Sequence, residues 1–310
     1  MKKIAYILVL SILVLYILMY PGPAIAAASR GLVLWYGQML PTLLPFAILS
    51  YIFIRSGILH TFALACHRLV SHLLPVSAAG IYPLAAGFLF GFPMGSKIAS
   101  QLVEEGQMSY EEGNHLFSVC NNISPVFISG FILNASLGAP ELAPVTLALL
   151  YLPPLLYLVL SARLPAPYGH WAIAAKRPAP RSQINFKIID AGIMSGFETL
   201  TRLGGYLMLF AIFSQMAKSI PGLPPSLQCI LAGLLEITTG IDAIAASALP
   251  FSVKYLAAVA LTAFGGLSGL AQTAAMVKEA GFSMGSYLRE KVICTLCTLA
   301  LAWGFLRFFR

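Results

Sequence analysis

Charged side chains are scarce. They make up 10% of the 310 residues, against 59% hydrophobic ones, too few to solvate an ordinary soluble domain of this length. Catalytic signatures are also missing. There is no nucleophile elbow, Walker loop, zinc motif or dinucleotide fingerprint, so enzyme readings are poor and no cofactor is expected. The five histidines (His60, His67, His72, His115, His170) form no paired metal-ligand motif, which argues against a metal site. Of the five cysteines, Cys294 and Cys297 have redox spacing, but no βαβ pattern surrounds them; all five read as buried helix thiols. The net charge of +8 lies mostly between apolar runs, which makes it a topology signal and not a nucleic-acid footprint.

What the chain has in quantity is apolar sequence. Segments fall near residues 4–20, 31–54, 78–101, 114–135, 143–162, 188–217, 226–248, 253–277 and 287–306. At 1.5 Å per helical residue, each is about long enough to cross a ~30 Å hydrocarbon core. The expected fold is therefore all-α and polytopic, with about 7–9 membrane segments. Residues 1–26 read as an N-terminal transmembrane helix. Lys2, Lys3 and the Ala24-Ile25-Ala26 stretch resemble a signal peptide, but the apolar run is long for one, and an uncleaved anchor is favoured. Residues 58–75 mix histidines and Arg68 with leucines at helical spacing and suit an interfacial helix. The proline-rich basic stretch 164–187 reads as a cytoplasmic linker between a first unit, 27–163, and a second, 188–310.

These halves echo each other. Pro45-Phe-Ala-Ile-Leu-Ser50 matches Leu209-Phe-Ala-Ile-Phe-Ser214; Leu84-Ala-Ala-Gly87 with Gly95 matches Leu231-Ala-Gly233 with Gly240; Asn121-Asn-Ile-Ser124 matches Gly265-Gly-Leu-Ser268. Order and approximate spacing are kept. A cytoplasmic N-terminus and a cytoplasmic linker require an even number of crossings between them, so one of the five segments turns back. The segment 78–101, broken by Gly91, Pro93 and Gly95, is the natural re-entrant hairpin. The halves would then be inverted repeats with broken helices, a recurring transporter architecture.

Lys97 is the sharpest single feature, an ionisable group in a membrane segment, which contacts substrate or counter-ion unless it snorkels or pairs with Glu104. Asn121, Asn122 and Ser124, before the helix-disturbing Pro125, supply neutral ligands, and Ser268 and Gln272 do so beside Gly265 and Gly266. Glu236 and Asp242, flanking Gly240, are the coupling or counter-ion candidates. Glu198 and Arg202 are spaced as an intrahelical pair. Glu104, Glu105, Glu111 and Glu112 read as a solvated connector, with Ser109 as a helix cap.

The stretch GFPMGSKIASQLVEEGQMSYEEGNHLFSVCNNISP closely resembles the signature of the sporulation integral membrane protein family of endospore-forming bacteria (YlbJ-like), and LLEITTGI and FGGLSGLAQT resemble its second-copy motifs. The resemblance implies two nucleoside-recognition or gate domains and the movement of dipicolinic acid across the outer forespore membrane during spore formation. The expected partners are a small anionic substrate and the lipid bilayer, with no nucleic acid; a homo-oligomer or other sporulation membrane proteins are further candidates, and the sequence is silent on oligomeric state. A nucleoside or ion-coupled carrier, or a non-transporting membrane scaffold, are the alternatives.

Overall fold

The computed structural model describes residues 2–56, 67, 73–161 and 185–309. The linker predicted at 164–187 and the interfacial helix predicted at 58–75 lie almost wholly outside these residues. Among the described residues the chain is helical throughout, with no strand. Four stretches are long and apolar enough to cross a bilayer: Pro21–Ser56, Pro140–Ser161, Phe251–Met276 and Met284–Phe308. Shorter apolar helices accompany them. This is a polytopic membrane protein.

Helix α1 (Lys2–Met19) turns at Tyr20 into α2, Pro21–Ser56, which starts ten residues before the predicted segment at 31. Pro21 and Pro23 fall in its first turn, where a missing N–H costs nothing. The Ala24-Ile25-Ala26 stretch is ordinary helix, with Ala24 and Ala27 buried. Its partner is α8 (Phe186–Lys218), opened by Asn185, whose side-chain oxygen accepts the Ile188 N–H at 3.0 Å. The two long helices run antiparallel and touch through small residues. Gly31 faces the Met208 backbone, Gly204 lies under Trp35, and Gly196 meets Leu44 and Ile48. Trp35 Nε1 donates to the Leu200 carbonyl at 2.6 Å. Dispersion through close backbones, not water exclusion, drives such packing in lipid.

The segment 78–101 folds as a hairpin of α3 (Ile81–Leu89) and α4 (Met94–Glu104), nine and eleven residues long. At roughly 14–17 Å each, neither crosses a hydrocarbon core alone. Gly91 takes a φ of 84° at the tip, and the Phe92–Pro93 bond is cis. The arms meet at glycine: a Cβ on Gly95 would stand 2.9 Å from the Gly87 Cα. The second half repeats this with α9 (Pro225–Leu235) and α10 (Ile237–Ala246), joined at Glu236, where a Cβ on Gly240 would stand 2.0 Å from the Gly233 Cα.

The first echoed stretch also has matched surroundings. Ala47 and Ala211 are both buried. Ser50 Oγ accepts the Tyr82 hydroxyl at 2.8 Å, tying α2 to the first hairpin, and Ser214 Oγ donates to the Ala232 carbonyl at 3.0 Å, tying α8 to the second.

Each half then carries a broken helix. In the first, α5 (Tyr110–Val119) stops, residues 120–124 are unwound, and α6 (Phe127–Ser136) continues in a π-helical winding. In the second, α11 (Phe251–Phe264) and α12 (Gly266–Met276) are separated at Gly265, where both Gly265 and Gly266 have positive φ. Helices α7 (Ala143–Ser161) and α13 (Met284–Phe309) close the two halves.

Three apolar clusters result among the described residues, and none follows the sequence halves. Of the two larger, one joins Ala47, Leu84, Ile98 and Leu116 to Leu200 and Leu203; the other joins Ile123, Ile132 and Leu150 to Ile237, Tyr255 and Ala302. The smallest joins Ala99 and Phe117 to Val277, Phe282 and Tyr287.

The acidic connector departs from expectation. Ser109 does cap α5, accepting the Glu112 N–H at 3.2 Å. Glu112 itself is not solvated. It is buried, its Oε1 accepts the Ser77 N–H at 2.7 Å, and burial pushes its carboxyl above the usual carboxylate range. Glu105 pairs with Arg55 at 2.9 Å. The Glu198–Arg202 pair forms on the outside of α8, as its spacing predicts.

Candidate functional site

A broken helix leaves carbonyls without intrahelical donors, and at membrane depth each needs another partner. The first break is supplied almost residue by residue. The Val119 carbonyl accepts the Asn122 side-chain amide at 2.7 Å, and the Asn122 carbonyl accepts the Phe92 N–H at 2.6 Å. The Asn121 carbonyl accepts Lys291 Nζ at 2.5 Å, and the Ile123 carbonyl accepts the Tyr151 hydroxyl at 2.7 Å. The Cys120 carbonyl lies against Gly87 and Gly95, where a Cβ on Gly87 would stand 1.7 Å from it. The hairpin tip is therefore docked on the break, and only glycine permits the approach.

In the second half the tip is the carboxylate of Glu236. It is buried and N-caps α10, accepting the Thr238 and Thr239 N–H groups at 3.1 and 2.8 Å and both threonine hydroxyls. Gly266 sits beside the Gly233 and Leu234 carbonyls, so this tip too rests on its half's break.

The two units border an open cavity of ≈ 850 Å³. Phe92, Ser124 and Phe127 line it from the first half; Glu236, Thr238, Gly265, Ser268 and Gln272 from the second; Gln38, Thr42 and Phe46 of α2 close one wall. Its size is that of a small-molecule site, and its walls are mainly apolar and aromatic. Gln272 Nε2 donates to Ser268 Oγ at 2.8 Å, while the buried Gln272 Oε1 has no partner among the described residues.

Ser124, Glu236, Ser268 and Gln272 are thus brought together beside Gly265, and the other substrate and counter-ion candidates are not. Lys97, expected against substrate or Glu236, is turned away. Its Nζ reaches Ser195 Oγ at 3.3 Å and the Thr199 hydroxyl, both on α8, and the cavity walls do not include it. An ammonium on a short hairpin arm finds its acceptors on the neighbouring long helix, at Ser195 and Thr199 one turn apart. Asn121 and Asn122 face α12 and α13 instead. The Asn121 amide donates to Thr273 at 2.8 Å and Tyr287 at 2.6 Å, and Asn122 Oδ1 accepts Lys291 at 3.4 Å. Asp242 is exposed and accepts the Ser136 hydroxyl at 3.2 Å. Gly91, Pro93, Gly95, Pro125, Gly240, Gly265 and Gly266 all lie at the breaks or hairpin crossings.

Lys291 and Glu290 were missed. They sit near the start of the apolar run 287–306, and both are buried. The rule that flags ionisable groups in membrane segments applies to them as it does to Lys97. Among the described residues no group of three His, Cys, Asp or Glu side chains is placed to hold a metal.

Among curated proteins the chain is 27% identical to the sporulation integral membrane protein YlbJ of Bacillus subtilis (strain 168), over 85% of this chain and 72% of that protein. The similarity runs over most of the length, so it takes in segments from both halves of this sequence, not one isolated motif. No family model matches the chain, so the two gate domains implied by the resemblance gain no support from that comparison. No solved structure matches it either.

Proposed function

We propose that this chain is a sporulation membrane transporter that carries a small, flat organic acid, dipicolinic acid, across the outer forespore membrane. The cavity walled jointly by the two hairpin-and-break units carries this reading. Aromatic walls suit a planar pyridine ring. Ser124, Thr238, Ser268 and Gln272 offer polar groups to its substituents, and the amino end of α12, beside Gly265, carries positive partial charge toward anionic groups. A scaffold has no use for a cavity of this size reached by both hairpins. The match to a sporulation membrane protein supports the setting.

Uptake of labelled dipicolinate into proteoliposomes, with and without an imposed ion gradient, tests the reading. Protein-dependent accumulation is expected; no uptake under any gradient overturns it. One observation favours a second substrate class. The described residues lining the cavity include the Glu236 carboxylate and no lysine, arginine or histidine, a balance that suits a neutral planar ligand such as a nucleoside. Competition of dipicolinate uptake by nucleosides separates the two.

A further inference from the structure

Lys291 lies in α13 about two turns after its start and points at the first break. Its ammonium is buried and donates to two carbonyl oxygens, the backbone oxygen of Asn121 at 2.5 Å and Asn122 Oδ1 at 3.4 Å. Among the described residues no carboxylate lies within ion-pairing distance of it. Its neighbour Glu290 turns to the Ser118 hydroxyl instead, and the Tyr287 ring stands 5.9 Å away. A void of ≈ 20 Å³, room for about one small particle, adjoins the site between Asn122, Glu290, Lys291 and Thr298. The buried Thr298 hydroxyl on its wall has no partner among the described residues. Carbonyls freed at an unwound stretch, at the negative end of a half-helix, are what helical carriers use to hold a free sodium ion or proton. Here a side chain of the same chain supplies the positive charge.

We propose that Lys291 is a tethered cation: its ammonium fills a carbonyl-lined cation site at the first break, so that this protein moves its substrate without sodium. The part concerning sodium rests on the transport reading above; the part concerning the site does not. Removing the side chain should leave a vacant site that a small free cation can enter.

The test uses the full-length protein in detergent and in proteoliposomes. Thermal unfolding of the wild type and of Lys291→Ala is followed in sodium, methylammonium or choline chloride at equal ionic strength. Lys291→Ala is expected to melt lower in choline and to recover saturably in methylammonium or sodium, while the wild type melts alike in all three. Equal melting of Lys291→Ala in the three salts overturns the proposal. Should Lys291→Ala not fold, Lys291→Gln, which keeps donors but no charge, decides: stability and uptake equal to wild type overturn the proposal, and lowered stability with small-cation rescue supports it. In vesicles, wild-type uptake is expected to be the same in sodium and choline, and sodium-dependent uptake overturns the sodium-free claim. Absence of all uptake refutes the transport reading and leaves the cation site to the melting curves.

Discussion

Replacing Gly87 with alanine tests the docking of hairpin on break with one methyl group. Its Cβ would stand 1.7 Å from the Cys120 carbonyl oxygen and 2.6 Å from the carbonyl carbon. These are backbone atoms held by α5 on one side and by the bonds of residues 119–123 on the other, so no flexible side chain can yield. To reach even the 3.0 Å floor of observed Cβ contacts, the arms must part by more than an ångström. Alanine gains about 1 kcal/mol of intrinsic helix preference over glycine. Overpacking typically costs ~1–3 kcal/mol, and rigid backbone on both sides places this site at or above the top of that range. The net expectation is a loss of about 2 kcal/mol, read as a fall of several degrees in melting temperature of the detergent-solubilised protein. Gly205→Ala is the control: it sits in α8 with nothing within 4 Å of its would-be Cβ, and should be neutral or slightly stabilising. If Gly87→Ala melts with the control, the close approach of the hairpin to the unwound stretch is wrong.

Glu236→Gln halves the acceptors available to the two threonines and should cost about 1–2 kcal/mol at the start of α10, read by thermal unfolding; melting equal to wild type would remove the carboxylate from the cap. Lys97→Met should shift melting by no more than about 1–2 kcal/mol and leave dipicolinate affinity unaltered, because the ammonium serves α8 and not the cavity; a weakened affinity by titration calorimetry would return it to the site. Arg202→Ala breaks an exposed pair and should change stability by less than about 0.5 kcal/mol in thermal unfolding.

The hairpins were legible because Gly91, Pro93 and Gly95 cannot sit inside a lipid-facing helix, and the echo was legible because Gly233 with Gly240 repeats Gly87 with Gly95 at the same crossing. The Ser109 cap and the Glu198–Arg202 pair were legible because their partners lie three and four residues away. Direction was not. A lysine in a membrane segment announces a buried charge, but Lys97 finds Ser195 and Lys291 finds Asn121 across about a hundred residues or more, and nothing local says which acceptor faces which donor. Glu112 failed for the same reason. Its neighbours are acidic and polar, and only the approach of the Ser77 backbone takes it out of water.

Val119 and Cys120 belong to one of the two larger apolar cores and Ile123 to the other, so the chain changes cores within the unwound stretch itself. The seam between the cores does not follow the connector between the sequence halves. Helix α7 crosses the same seam, with Leu150 in one core and Leu158 in the other, so a continuous helix joins the cores as well as the unwound thread. The Tyr151 hydroxyl on the Ile123 carbonyl ties those two links to each other, and any widening along the seam has to strain both.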